Sequence, residues 1–233
     1  MDFFPAMANT SQRGLDWRIR MAGDSAITVD FGSQIDSDVN ARVLSVAAEV
    51  RSMRLEGVRD IVPSYSSVTI YIDPLCTAVD RLWGRLEVAV VAPVSGRGPS
   101  REILVPVSYG GSDGPDLDEV AGFANCSTEQ VIRLHTSPRY RVYMLGFLPG
   151  FPYLGPVDSR IAMPRRQSPR LAVPAGSVGV AGPQTGIYPT VAPGGWRLIG
   201  RTLVEVFDSG REPPCLFRPG DFVRFEAVPG TSR

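Results

Sequence analysis

The chain contains no lysine; every one of its 24 basic residues is an arginine. A P-loop needs its lysine and a Schiff-base enzyme needs its amine, so both classes are excluded. Histidine is almost absent as well. His135 stands alone, so any Ser-His-Asp or Cys-His arrangement has to run through it, and no GxSxG motif accompanies it. Cys76, Cys126 and Cys215 are odd in number, widely spaced and without a CxxC pair. That argues against a disulfide framework and against a zinc site, and it makes a reducing cytoplasm the expected compartment. No uninterrupted apolar run is long enough to span a bilayer. The opening MDFFPAMANTSQRGLD has no basic region followed by an apolar core, so it does not read as a secretory signal; residues 1–15 are expected to form a disordered tail. Twenty-four acids balance the 24 arginines, which leaves no positive excess for nucleic acid.

Acids are also missing locally. Between Tyr143 and Thr202 the arginines Arg160, Arg165, Arg166, Arg170, Arg197 and Arg201 face a single carboxylate, Asp158. The same stretch is crowded with glycine and proline, which rules out a run of helix. Short pieces rich in Val, Ile, Tyr, Phe and Leu lie between these breakers and suit strands joined by tight turns. An all-β segment with an arginine surplus and glycine-lined turns suits a concave site for a small anion or for the acidic surface of a partner.

The rest of the chain divides in two. Residues 16–91 read as an α+β domain. Trp17 to Phe31 suggests one or two strands broken near Gly23. Asp36 can cap a helix whose stripe is Val39, Val43, Val46, Val50 and Met53. Val58 to Val62 and Ser67 to Ile72 read as strands. Asp73 and Pro74 offer an N-cap and first-turn proline for a second helix striped by Leu75, Val79, Leu82, Leu86 and Val90. The order strand, helix, strand, strand, helix fits a ferredoxin-like sandwich. Residues 92–100, APVSGRGPS, lack periodicity and form the expected linker. Residues 101–229 form the second domain: a strand from Ile103 to Val107, two short helices, then β structure and turns from Tyr140 onward. Ser127 and Gln130 make a capping box for the second of these helices. The pair has the outline of a helix-turn-helix, but its second helix offers only Gln130 and Arg133 beside Glu129, so it is read as a hairpin packed on the β structure. Composition alone allows a barrel or a sandwich.

The motifs LHTSPRYRVYMLGFLPGFPYLG (Leu134 to Gly155), PRRQSPRLAVPAGSVGVAGPQTGIYP (Pro164 to Pro189), GGWRLIGRT (Gly194 to Thr202) and RPGDFVRF (Arg218 to Phe225) resemble the family of 5-oxoprolinase B subunits. That family is also called allophanate hydrolase subunit 1 or KipI-like, with a carboxyltransferase C-D domain. The resemblance runs from about Ile103 to Phe225; GDSAITVDFG (Gly23 to Gly32) matches it loosely. Pro183 departs from the pattern, since relatives more often carry a small or polar residue there. The resemblance implies a cyclophilin-like β-barrel for the second domain. It also implies one component of an ATP-dependent 5-oxoprolinase that opens 5-oxo-L-proline to L-glutamate with companion A-type and C-type subunits. The names attached to the family imply two alternatives: a regulatory inhibitor of a sensor histidine kinase, or a part of allophanate hydrolase or urea carboxylase chemistry.

Several residues are candidates for a site. His135 is a catalytic candidate or, at a helix end, a cap or packed structural residue. Gln184, Thr185 and Gly186 are read as a glycine-flanked turn whose amide, hydroxyl and backbone N–H groups could orient a lactam or an oxyanion, or as a plain hairpin. Tyr188, Arg197 and Arg201 join them as candidates for substrate or anion binding. Arg165 and Arg166 are candidates for a partner interface. The β motifs hold donors but almost no acids. ATP and any metal are therefore expected to be held largely by a partner subunit, and this chain is assigned no metal ligand.

Overall fold

The computed structural model describes residues 16–94 and 100–229. The expected tail over 1–15 and the middle of the expected linker, 95–99, lie outside the described residues. The chain divides into two compact units, the first ending at Pro99 and the second starting at Ser100.

The first unit carries β1 (Arg18–Met21), β2 (Ala26–Asp30), α1 (Ser37–Ser52), β3 (Val58–Pro63), β4 (Ser67–Ile72) and α2 (Val79–Val91). Its four strands form one antiparallel sheet in the order β1-β2-β4-β3. Asp36 caps α1, its carboxylate accepting from the N–H groups of Asp38 at 2.8 Å and Val39 at 2.9 Å. Val43, Val46 and Val50 of α1 then meet Leu82, Trp83 and Leu86 of α2, with Ile27, Val29, Val68 and Ile70 of the sheet, in one core. The second helix starts later than the Asp73–Pro74 signal indicates. The Asp73 side chain accepts from Leu75 N–H, and its carbonyl takes the N–H of Thr77, which closes a single turn. Asp73 also pairs with Arg59. Leu75 is left exposed, and the apolar stripe begins at Val79.

The second unit carries β5 (Glu102–Tyr109), α3 (Leu117–Phe123), α4 (Thr128–Thr136), β6 (Tyr140–Leu145), β7 (Pro152–Gly155), β8 (Arg170–Val173), β9 (Ser177–Ala181), β10 (Gln184–Ile187), β11 (Ala192–Gly194), β12 (Arg197–Arg201) and β13 (Phe222–Val228). Seven of these strands close into a barrel in the order β10-β7-β6-β13-β5-β12-β9, which decides between barrel and sandwich. The first and last strands, β5 and β13, lie side by side in parallel, from Phe222 opposite Glu102 to Val228 opposite Ser108. At the start of that pairing Asp221 is held by Arg101 and accepts the Arg218 N–H, so the RPGD segment is a turn clamped to the first strand. Val105, Val107, Val142, Leu154, Val178, Val180, Val223 and Phe225 fill the interior. The capping box of Ser127 and Gln130 forms, and α3 and α4 bury Val120 and Val131 in the same core. Strands β8 and β11 pair with each other as a separate two-stranded sheet.

Candidate functional site

The β9–β10 hairpin is the wall around which the candidate residues collect. Gln184 pairs with Ala181, so the turn consists of Gly182 and Pro183. Gly182 takes φ +55° and proline fixes the next corner at negative φ. Positive then negative φ is the type II′ pattern, which matches strand twist. Gln184, Thr185 and Gly186 therefore stand in a strand, one step after the turn expected of them. Strand alternation sends Thr185 inward and Gly186 outward.

Inside the barrel, Thr185 joins a buried polar relay. Its hydroxyl donates to the Gly179 carbonyl at 3.0 Å and lies 2.8 Å from His135 Nε2. A hydroxyl has one hydrogen, so Nε2–H must be the donor in the second bond. Nδ1 is then an acceptor and takes the Tyr109 O–H at 2.7 Å. The Tyr140 hydroxyl donates to the His135 carbonyl at 2.9 Å, and the imidazole stacks on Phe225 at 4.5 Å between centroids. His135 is fully buried. Burial lowers its pKa from 6.5 to about 3, which leaves the ring neutral, and burial raises the Tyr109 hydroxyl well above its usual range. The relay ties α4, β5, β9 and β10 together, and both ring nitrogens are satisfied.

Outside the same wall lies a second apolar layer. Phe151, Tyr188, Trp196 and Leu198 pack there with Tyr153 and Leu148. Phe151 meets Tyr153, Tyr188 and Trp196 edge to face at 5.0–5.4 Å. Glycine makes this possible. A Cβ on Gly186 would sit 2.8 Å from the Pro152 carbonyl oxygen and 2.9 Å from the Phe151 ring, and one on Gly194 would collide with the Tyr188 hydroxyl. Gly186 thus seats an aromatic ring. Phe147 stands over this layer at φ +67° and 60% exposed, with its ring edge-on to Phe151 and Tyr188. Left-handed backbone is unusual for a bulky residue.

The arginine surplus of the β motifs is met by carboxylates from α3 and the turn before it. Asp116 is 4% exposed and takes Arg170 bidentately at 2.7 and 2.8 Å, Arg166 at 3.2 Å and the Leu198 N–H at 2.7 Å. Burial alone would raise its pKa, but the Arg170 and Leu198 hydrogen bonds and the two guanidinium charges outweigh it and hold the group below its usual value. Glu119 takes Arg197 at 2.6 Å. Sequence reasoning missed Asp116, although six arginines facing one acid was the signal that carboxylates must arrive from elsewhere.

Arg166 and Arg197 are therefore engaged within the fold, and Tyr188 is buried. Arg165 lies over the Trp196 ring at 5.8 Å. In the sheet, Gln184 sits beside Ala181 and Arg197 beside Val180, at the same end of β9, whereas Arg201 pairs with Ser177 at the other end. Arg197 is thus the arginine that shares an end of the wall with Gln184. Among the described residues no group of three or more His, Cys, Asp or Glu is placed to hold a metal ion, and no helix is long and apolar enough to cross a membrane.

A barrel built on these motifs defines a class. Residues 17–217 match the family described as carboxyltransferase domain, subdomain C and D, and the chain belongs to it. Within that family the chain falls in the group of 5-oxoprolinase B subunits. It is 41% identical to the 5-oxoprolinase B subunit of Bacillus subtilis over 91% of this chain and 93% of that protein. It is also 41% identical to the Escherichia coli O157:H7 protein of the same name over 89% and 94%. Among solved structures, TTHA0988 superposes with TM-score 0.80 at 41% identity; 89% of this chain is matched, but it spans only 41% of the longer TTHA0988 chain. The Kluyveromyces lactis urea amidolyase shares the fold at TM-score 0.78 and 22% identity, with this chain spanning 16% of it.

Proposed function

We propose that this chain is the B subunit of an ATP-dependent 5-oxoprolinase, hydrolysing 5-oxo-L-proline to L-glutamate together with A-type and C-type subunits in the cytoplasm. The observation that carries the reading is the similarity to two proteins named as 5-oxoprolinase B subunits, which covers about nine tenths of both chains in each case. The fold is consistent with it. In the first unit β4 lies between β2 and β3, a split β-α-β unit, and β1 adds an edge strand beside β2. We read this as a ferredoxin-like order with its fourth strand supplied from the front of the chain. The barrel is read as cyclophilin-like.

A lactam carbonyl is a poor electrophile and its nitrogen a poor leaving group. ATP held by a partner subunit would supply the activation, by transfer of its γ-phosphoryl group to the amide oxygen with ADP as leaving group. The described residues of this chain do not fit a metal of its own, because their carboxylates are scattered or paired with arginines; nucleotide and metal are assigned to a partner subunit. The part left to this chain is binding and orientation. Gln184, at the barrel end, has both a donor and an acceptor for a lactam N–H and C=O. Arg197 at the same end is bound to Glu119 and to the Pro164 carbonyl and lies on the Val180 face of the sheet, opposite to Gln184, so it braces the wall.

The test is reconstitution. The three subunits together are expected to release glutamate and phosphate from 5-oxoproline, and this chain alone neither. Gln184→Ala is expected to lower turnover of the complex on the order of 100-fold, with folding and assembly unchanged. Turnover by the isolated chain overturns the division of labour, and near-normal turnover in the variant reduces Gln184 to a strand residue. Activity on allophanate or with urea in place of 5-oxoproline, or inhibition of a sensor histidine kinase by the chain alone, would favour the two alternative roles.

A further inference from the structure

We propose that the outward face of the β8–β11 sheet is the docking surface for a companion subunit, one that presents an apolar patch fringed by carboxylates. This rests on the proposed function, since it takes the partner to be a subunit of the same complex.

The register fixes which side chains face out. Val173 opposite Ala192 and Arg170 opposite Gly194 are the inward pairs, with Val173 buried in the aromatic layer and Arg170 bound to Asp116. The register shifts by one residue between these pairs, so Leu171 and Ala172 together oppose Pro193 on the outer side, joined by Val191 just before β11, and all four are exposed. Leu171 is 92% exposed and Val191 62%. Single exposed apolar residues are ordinary on a protein surface, but a face of two paired strands with four apolar side chains and no polar one is an interaction surface or an aggregation hazard.

Charge argues for the partner's character. No aspartate or glutamate occurs from Ser159 to Val204. The arginines of this stretch mostly find carboxylates elsewhere, but two do not. Arg165 is exposed, with its guanidinium over Trp196. Its neighbour Arg166 donates its backbone N–H to Gly195, just past β11. Arg201 is exposed and donates Nε–H to Ala175, just past β8. Two guanidinium groups without an ion-pair partner among the described residues thus flank the apolar face. An aromatic-backed arginine beside an apolar face is the composition of an interface hot spot. A second copy of this chain would bring the same cations against each other, which disfavours self-pairing. The longer chain of TTHA0988, of which this chain spans 41%, carries the matching fold joined to a larger remainder, so a sizeable neighbour already accompanies this fold in a relative.

The experiment measures binding of purified full-length chain to each companion subunit by calorimetry. Leu171→Asp/Val191→Asp is expected to weaken association by about 30-fold or more, the loss typical of hot-spot residues, with thermal unfolding unchanged because both side chains point to solvent. Arg165→Glu/Arg201→Glu is expected to weaken binding and to reverse its salt dependence. Undiminished affinity in both double variants overturns the docking surface while leaving the function intact. Failure of the wild-type chain to bind either companion overturns the function together with this proposal. A wild-type dimer that Leu171→Asp/Val191→Asp converts to monomer also overturns it, in favour of self-association.

Discussion

His135 binds no proton in the folded protein until the pH falls to about 3, whereas in the unfolded chain it does so near its ordinary value of 6.5. Between those values the unfolded state holds one more proton than the folded state. Stability therefore falls as the pH is lowered through this window, by up to about 1.4 kcal/mol per pH unit from this residue. Asp116, whose carboxylate is held below its usual range, adds its own loss only at more acidic pH, as its ion pairs are protonated away. The two contributions separate by pH. Urea unfolding of His135→Gln between pH 6.5 and 4.5 should show a shallower slope than wild type, because glutamine can hydrogen-bond to Tyr109 and Thr185 without titrating. Parallel slopes would mean that the imidazole is not the group responsible. The sequence offered a packed structural histidine as one reading of His135, but its partners were not legible there. Tyr109, His135 and Thr185 are separated by 26 and 50 positions, and only closure of the barrel brings them together.

At the scale of elements, the sequence was most readable where one side chain decides the outcome. Asp36 capped its helix and the valines that follow set its buried stripe, because capping and period are local properties. Asp73 followed by proline carried the same local signal and produced only a single turn, with its carboxylate shared between the Leu75 N–H and Arg59, and the helix itself begins at Val79. The Gln184–Gly186 segment was placed in a turn because glycine permits one; the structure shows a glycine serving contact instead, with Phe151 seated where a side chain would be. Gly186→Ala should therefore lower stability by about 1–3 kcal/mol through overpacking, or roughly 2–4 °C in melting temperature per kcal/mol for a chain of this size. Calorimetric unfolding checks it. An unchanged melting temperature would show that the outer aromatic layer can shift aside.

For the whole molecule, the two units own separate cores, one built on α1, α2 and the four-stranded sheet and the other inside the barrel. A fragment beginning at Arg101 is expected to fold alone, and limited proteolysis should release it by cleavage within residues 92–100. A fragment without cooperative unfolding in circular dichroism would place the boundary elsewhere. Apolar pattern and turn residues were enough to foresee a β-rich second part of the chain, because that depends on composition over tens of residues. Barrel closure was not foreseeable from pattern, since it turns on the parallel match of β5 with β13, across more than a hundred residues of chain. That pairing has a consequence for synthesis. The first strand of the barrel emerges from the ribosome long before its neighbour exists, and while the intervening residues are being made its edge has no permanent partner on that side. Only when Phe222–Val228 has left the exit tunnel can the ring close, so a nascent chain stalled short of that point carries an open sheet edge, the state in which newly made β proteins are most exposed to misassociation and most dependent on chaperones.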